Sequence, residues 1–487
     1  MASRFSGALQ ITNLDDFITP SQECIKPVEI KKSTTKTGAK IKIQEDGVYT
    51  ELDTRGGSEK LEKVEITLAD CLACSGCITS AESVLITQQS QEELLRVFQE
   101  KKDQLFDAIA LTVHCKFIVV SLSVQPVLSL AARYELDPED AIHRLAGYFK
   151  SLGADMVLDM TVAEDFALLE SAKEFVERHK SSKEGLKKQL PMLASSCPGW
   201  VCYAEKTHGN FILPYISVTK SPQQIMGSLV KYHLAETKGL SPDRVYHITL
   251  MPCYDKKLEA YREDFNDKLK ESRDVDCVIT AIELEQMLDQ RSSPLNEVQA
   301  EKLDKPFGSC RDSADVDMWS HRGSGSGGYA DYIFDYAARN LFQIEDAKLE
   351  FKNLRNPDFQ EAILEREGQV LLRFGIANGF RNIQNVVQKL KRGKCNYDYV
   401  EVMACPAGCL NGGAQIRPQD NTQPRELASR LEAEYRKLPE IRPEENESMN
   451  RLYKSWLGWS NSDKAVAYLH TQYHEIEKMN TPLAMKW

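Results

Sequence analysis

Thirteen cysteines, and above all their spacing, constrain this chain of 487 residues more than any other feature. The number is odd, and Met1 to Pro20 lacks the basic segment and apolar stretch of a secretory signal. A reducing compartment, cytosolic or nuclear, is expected. There cysteines are core residues, reactive thiols or metal ligands, not a disulfide framework.

Cys71, Cys74 and Cys77 form Cys-x2-Cys-x2-Cys. Three thiolates at that spacing on one tight loop can each reach a different iron of a cubane, and bacterial ferredoxins use this run with a fourth cysteine close behind. Position 81 is Ala here, so the local fourth ligand is missing. Cys24, the one other cysteine before residue 115, is the candidate fourth ligand. Structural zinc and plain packing are the alternatives. Zinc usually takes cysteines as two pairs, and a triple with equal short gaps fits that poorly.

Three further motifs follow expected strands. Ser195-Ser196-Cys197-Pro198-Gly199-Trp200 follows Leu193-Ala194, and Met251-Pro252-Cys253 follows Ile248-Thr249-Leu250. Cys405-Pro406-Ala407-Gly408-Cys409, with Gly412-Gly413, follows Val400-Glu401-Val402. Loops at strand carboxyl ends converge on the crevice of an open α/β sheet. The prolines fix the chain there and leave the remaining amides free to point at sulfur. One Cys-Pro after a strand is ordinarily structural; three such loops with four cysteines point to one metal group.

The rest of the chain supplies a scaffold. From residue 116 short apolar runs, such as Phe117-Ile118-Val119-Val120 and Tyr399 to Met403, alternate with helical patterns such as Ala141 to Leu152 and Ile383 to Lys391. That alternation predicts α/β layers with a largely parallel sheet. Asp46-Gly47 signals a hairpin, and Gln91 to Phe106 an amphipathic connecting helix. The expected units are an N-terminal cluster domain (1–110), two lobes (116–290 and 291–416) and a helical extension with tail (417–487). Hydrophobic residues make up 42%, enough for full cores, and no run of 18 apolar residues offers a membrane span. Sixty-one Lys+Arg against 72 Asp+Glu leave a charge of −11, which argues against direct nucleic-acid binding.

These segments resemble the catalytic domain of iron-only hydrogenases, which carry Thr-Ser-Cys-Cys-Pro-x-Trp, Met-Pro-Cys-x-x-Lys-x-x-Glu and Met-Ala-Cys-Pro-x-Gly-Cys. Ser221 to Gly227 and Gly325 to Gly328 are similar to further hydrogenase segments. The resemblance spans about residues 116–415 and implies that Cys197, Cys253, Cys405 and Cys409 bind a cubane. It also has departures. Ser196 stands where hydrogenases have a second, proton-shuttling cysteine, and a hydroxyl is a far poorer acid than a thiol. Leu169-Glu170-Ser171 replaces consecutive glutamates, and Ala414 a glycine. Lys256 is kept, but it loses the partner of its hydrogenase counterpart if no di-iron cyanide ligand is present.

The full combination, including Cys24, the triple and the terminal Trp487, is similar to the Nar-type, nuclear prelamin A recognition factor-like branch of hydrogenase-like proteins. That resemblance implies a two-lobed hydrogenase-like α/β core, an N-terminal cluster arm and two [4Fe–4S] clusters, on Cys24, Cys71, Cys74, Cys77 and on Cys197, Cys253, Cys405, Cys409. It implies no hydrogenase activity. The implied role is an adaptor in cytosolic and nuclear iron–sulfur protein assembly, between early scaffold P-loop NTPases and a late targeting complex with a WD40 propeller protein, acting for client iron–sulfur proteins. An active hydrogenase and a prelamin A-binding protein are the rival readings.

Other features take blander readings. Gly323 to Gly328 matches Gly-x-Gly-x-x-Gly without a strand before it, so it reads as a loop opening the helix Tyr329 to Phe342. Cys277 reads as core, and Cys202 as packing near the site. The Lys389 to Lys394 run reads as a helix end, and Trp487 as either an idle end or a docking peptide.

Overall fold

Runs of β-branched and aromatic residues form the strands, because a strand covered on both faces of a parallel sheet is apolar on both. The computed structural model describes residues 40–43, 49–52, 58–60, 86, 88–106, 115–185, 189–310, 316–345, 349–418, 422–458 and 462–475. Cys24, Cys71, Cys74, Cys77 and Trp487 lie outside the described residues. In chain order the strands are β1 (Lys40–Ile43), β2 (Tyr49–Leu52), β3 (Ser58–Lys60), β4 (Phe117–Leu122), β5 (Met156–Asp159), β6 (Met192–Leu193) and β7 (Val245–Met251). They continue with β8 (Asn266–Asp267), β9 (Ser272–Arg273), β10 (Cys277–Thr280), β11 (Lys352–Asn353), β12 (Phe359–Arg366), β13 (Gln369–Asn378) and β14 (Tyr399–Met403).

β1 and β2 pair antiparallel with Ile43 opposite Tyr49, the hairpin expected around Asp46-Gly47. The first large sheet has the order β10-β7-β4-β5 and is parallel throughout. The second has the order β11-β12-β13-β14-β6. Here β13, β14 and β6 are parallel, but β11 and β12 are antiparallel additions at one edge. β6 comes from the 116–290 stretch yet pairs with β14, so the chain crosses between the two sheets.

The two sheets enclose a shared layer of helices. Thr161–Lys183, Pro222–Ser228 and Tyr329–Phe342 pack in one core with Val119 and Val278 of the first sheet and Phe374 and Tyr399 of the second. Side chains alternate across a strand. Ile118, Val120 and Leu122 accordingly join an outer core with the helices Gln91–Phe106, Val124–Arg133, Pro138–Leu152 and Ala281–Gln290. Val400 and Val402 join another with Phe380–Lys391 and Pro198–Tyr203. Local chemistry sets these helix bounds. Asp137 caps Pro138–Leu152 by accepting from the Glu139 amide, and Gly153 ends it at φ 119°. Thr280 and Glu283 form a reciprocal capping box on Ala281–Gln290. Among the described residues no helix is long and apolar enough to cross a membrane.

Candidate metal centre

β6 and β14 lie side by side in parallel, with Val400 opposite Leu193. The loops leaving their carboxyl ends therefore bring Cys197 and Cys405 together, and the Ala404 amide donates to the Cys197 Sγ at 3.3 Å. The third loop leaves β7 of the other sheet. It is joined to the Cys405 loop where the Ala414 amide donates to the Pro252 carbonyl at 3.1 Å. Two glycines permit this approach. A Cβ on Gly412 would stand 2.5 Å from the Pro252 oxygen, and one on Gly199 2.8 Å from an Asp255 carboxylate oxygen and 3.2 Å from the Ala404 Cβ.

The structure thus gathers Cys197, Cys253, Cys405 and Cys409. Each of the six pairs among them interacts electrostatically. Burial pushes the thiols of Cys253, Cys405 and Cys409 well above the usual range, and charge on neighbouring sulfurs pushes them further. Burial also raises Cys197, against amide hydrogen bonds from Ala404 and Trp200. The Gly413 amide does the same for Cys405. Four crowded thiols cannot ionise together without a cation, and amides aimed at sulfur favour a thiolate–metal group.

Spacing separates the candidate metals. A tetrahedral zinc with four thiolates at about 2.3 Å needs sulfurs roughly 3.8 Å apart. No three of these sulfurs lie within 4.8 Å of one another. A cubane spreads its irons over alternate corners and takes a wider quartet, so the donor set fits a cubane better than a single ion. Cys202, Cys277, Cys310, Cys395 and Cys115 stay outside the quartet. Cys277 is fully buried in β10, and burial pushes the Cys202 thiol up to about 12 with Asp255, Arg262 and Glu205 as its charged neighbours.

A cavity of about 80 Å³ adjoins the quartet, with Cys409, Met403, Ser196 and Lys256 in its wall. The Ser196 hydroxyl is buried with no hydrogen-bond partner among the described residues. The Lys256 ammonium donates to Glu259 at 3.0 and 3.2 Å and to the Ser196 carbonyl at 3.2 Å. Ser221 and Gln223 also donate to Glu259. The Gly323 to Gly328 loop reaches the site as well, since the Ser326 hydroxyl donates to the Ala407 carbonyl and accepts from the Leu410 amide.

Sequence reasoning missed several supports. Asp358 accepts from the Ala407 amide at 2.8 Å and pairs with Arg425. Arg417 donates to the Gly412 carbonyl at 3.1 Å. Neither residue falls in a motif, and only the fold brings them to the loop. Glu170 is 3% exposed and accepts from Tyr453 at 2.6 Å and Lys173 at 3.1 Å, while His470 stands 3.1 Å from its other oxygen. The single glutamate left where hydrogenases have consecutive ones is thus engaged by two residues of the C-terminal extension.

Burial works against the Glu170 charge, but His470, Lys173 and Tyr453 outweigh it and hold the carboxyl below its ordinary range. Its stabilising contribution is therefore present above the unfolded value, about 4.3, and is lost as pH falls through the folded one. We expect Glu170→Gln to lower the urea-unfolding free energy at pH 7 by about 1.5–3 kcal/mol, the range for hydrogen bonds to charge. The gap should narrow as pH falls below the unfolded value and through the lowered folded one.

Comparisons with known proteins agree with this architecture. The family described as "Iron only hydrogenase large subunit, C-terminal domain" matches residues 116–413, and "Iron hydrogenase small subunit" matches 425–476. An [FeFe]-hydrogenase structure aligns with TM-score 0.67 and 26% identity over 79% of this chain and 98% of its own. An apo form of the [FeFe]-hydrogenase from Chlamydomonas reinhardtii aligns with TM-score 0.65 and 27% identity over 78% and 99%. The probable cytosolic Fe-S cluster assembly factor of Aedes aegypti is 60% identical over 100% of both chains, and that of Drosophila persimilis 57% identical over 100% of both. With a hydrogenase-like core and full-length relatives of that kind, the chain belongs to the iron-only hydrogenase-like family, in its branch of cytosolic Fe-S cluster assembly factors.

Proposed function

We propose that this chain is a non-catalytic, cluster-bearing adaptor for the maturation of cytosolic and nuclear iron–sulfur proteins. One observation carries the reading: the sulfur quartet is kept whole, while the acid beside it is Ser196 and not a thiol. Cys197, Cys253, Cys405 and Cys409 hold one [4Fe–4S] cluster, and Cys24, Cys71, Cys74 and Cys77 a second. Bound there, such a cluster supplies one-electron chemistry and ties three loops from two sheets together. The chain's own residues bury it, aim the amides of Ala404, Trp200 and Gly413 at its sulfurs, and exclude bulk water. Lys256, committed to Glu259 and the Ser196 carbonyl, is a fixed prop of the cavity wall. The partners that this role requires are early scaffold P-loop NTPases and a late targeting complex with a WD40 propeller protein.

The test has two arms. In cells depleted of the endogenous protein, the wild-type chain should restore the activity of [4Fe–4S] client enzymes, and the Cys405→Ala chain should not. Purified protein treated with hydrogenase maturases and a strong reductant should evolve no hydrogen. Sustained hydrogen turnover, or full restoration by the Cys405→Ala chain, overturns the reading.

A further inference from the structure

One group of buried titratable residues takes no part in holding the quartet, yet shares its cavity. Glu164 and His321 both line the space that Cys409 and Ser196 border. Glu164 and Asp165 open the long helix Thr161–Lys183, and His321 sits in the loop leading to Gly323. The His321 Nε2 lies 2.7 Å from an Asp165 oxygen, and its Nδ1 faces a Glu164 oxygen at 3.7 Å. The imidazole is therefore held between two carboxylates. Asp165 is fully buried, and its second oxygen accepts from Asn446. The His321 amide donates to the Tyr435 hydroxyl at 2.7 Å, which fixes the loop.

Such an arrangement stores protons. Burial pushes Glu164 up to about 7, with the His321 charge acting against the rise and Asp165 and Asp159 adding to it. Burial disfavours charge on His321, but Asp165, Glu164 and Glu440 overcome this and raise its proton affinity. Beyond its three members, the titratable groups facing the unit are Asp159 at the end of β5, Glu440 beyond the helix Pro424–Tyr435, Tyr435 itself, and Tyr329 and Tyr332 of the helix Tyr329–Phe342. The nearby Cys310 thiol is raised by burial and by the charges of Asp159 and Asp165, and its sulfur accepts from Asn446 at 3.3 Å. Near neutral pH the unit sits at the edge of gaining or losing one proton, inside a low-dielectric interior where a nearby change of charge is weakly screened.

We propose that Asp165, His321 and Glu164 form a proton-binding site coupled to the charge of the metal group held by the neighbouring quartet. The step balances: one electron from a low-potential one-electron donor enters the metal group, and one proton from solvent joins the unit. The net charge of the interior is unchanged. This inference rests on the quartet holding a redox-active cluster.

The test is an anaerobic, EPR-monitored redox titration of the full chain at several pH values between 6 and 9. The signal that Cys405→Ala abolishes identifies the buried group; if no signal depends on Cys405, the underlying reading fails and the proton site fails with it. The midpoint potential should fall as pH rises. The slope should approach the tenfold relation for one proton per electron, about 59 mV per pH unit. His321→Gln and Glu164→Gln should each flatten the slope while leaving iron content and circular dichroism unchanged, and Glu164→Asp should restore part of it. If His321→Gln does not fold, Glu164→Gln, which faces the cavity, carries the test. A wild-type potential independent of pH, or an unaltered slope in Glu164→Gln, overturns the proposal.

Discussion

Cys405→Ala should cut the iron of anaerobically purified protein from about eight per chain to about four, by the four-thiolate rule for each cubane. Cys405 stands at the end of β14, in the loop that meets both of the others. Its thiol interacts with Cys197 and Cys409, and burial keeps it neutral when no cation is near. Its loss leaves three thiols and no further cysteine among the quartet's partners. Cys202 supplies the control. It lies five residues from Cys197, but its charged neighbours are Asp255, Arg262 and Glu205. Cys202→Ala should keep full iron. A metal group held by the quartet would join loops from two sheets, so its loss should also lower solubility and the unfolding midpoint, because metal binding to a folded site is folding free energy. Colorimetric iron and sulfide assays check the count. Equal iron in the two variants would show that Cys405 is not a ligand.

The second large effect is expected at Lys257→Met. The Lys257 side chain is fully buried, in the short helix Asp255–Ala260 that follows Cys253. Its ammonium donates to Glu283 and to the Gln89 carbonyl, both at 2.5 Å. Its own carbonyl accepts from Gln89 Nε2 at 2.8 Å, and the Gln89 Oε1 accepts from the Val278 amide at 3.0 Å. One residue thus pins the approach to the connecting helix against β10 and against the Cys253 loop. Methionine matches the length of the stem but leaves the Glu283 carboxylate without its cation. Breaking a buried pair from one side costs about 3–5 kcal/mol, and urea unfolding should lose that much. Limited proteolysis should also cut faster near residue 89. A loss below about 1 kcal/mol, the scale of an exposed pair, would contradict this account.

Much of this architecture was legible because its signals are local. Phe117 to Val120, Cys277 to Thr280 and Tyr399 to Met403 are apolar runs and became strands; Gln91 to Phe106 and Tyr329 to Phe342 became helices at the expected bounds. The antiparallel edge was not legible. Phe359–Arg366 alternates weakly and ends in exposed Glu365 and Arg366, so neither a continuous apolar run nor a clean period of two announces it. β6 has two residues, too few for any periodicity, and its place in the second sheet is decided by pairing alone.

The quartet could be read from sequence for a chemical reason. Thiolate chemistry requires cysteine itself, and loops at strand ends require proline and glycine nearby. The carboxylate networks carry no such mark. Asp165 meets His321 across 156 positions, and Glu170 meets His470 across 300. Their spacing reflects topology and not a local motif. Comparison with the hydrogenase pattern marked Leu169-Glu170-Ser171 as a departure from consecutive glutamates, but not the engagement of Glu170 by Tyr453 and His470.

The central claim is that four sulfurs from three loops hold one cubane. X-ray diffraction from anaerobically grown crystals, with anomalous data collected across the iron edge, tests it most directly. The account predicts a compact four-iron peak bounded by the Sγ atoms of Cys197, Cys253, Cys405 and Cys409. A single metal atom at that position, or iron bound elsewhere while these thiols stay free, would contradict it.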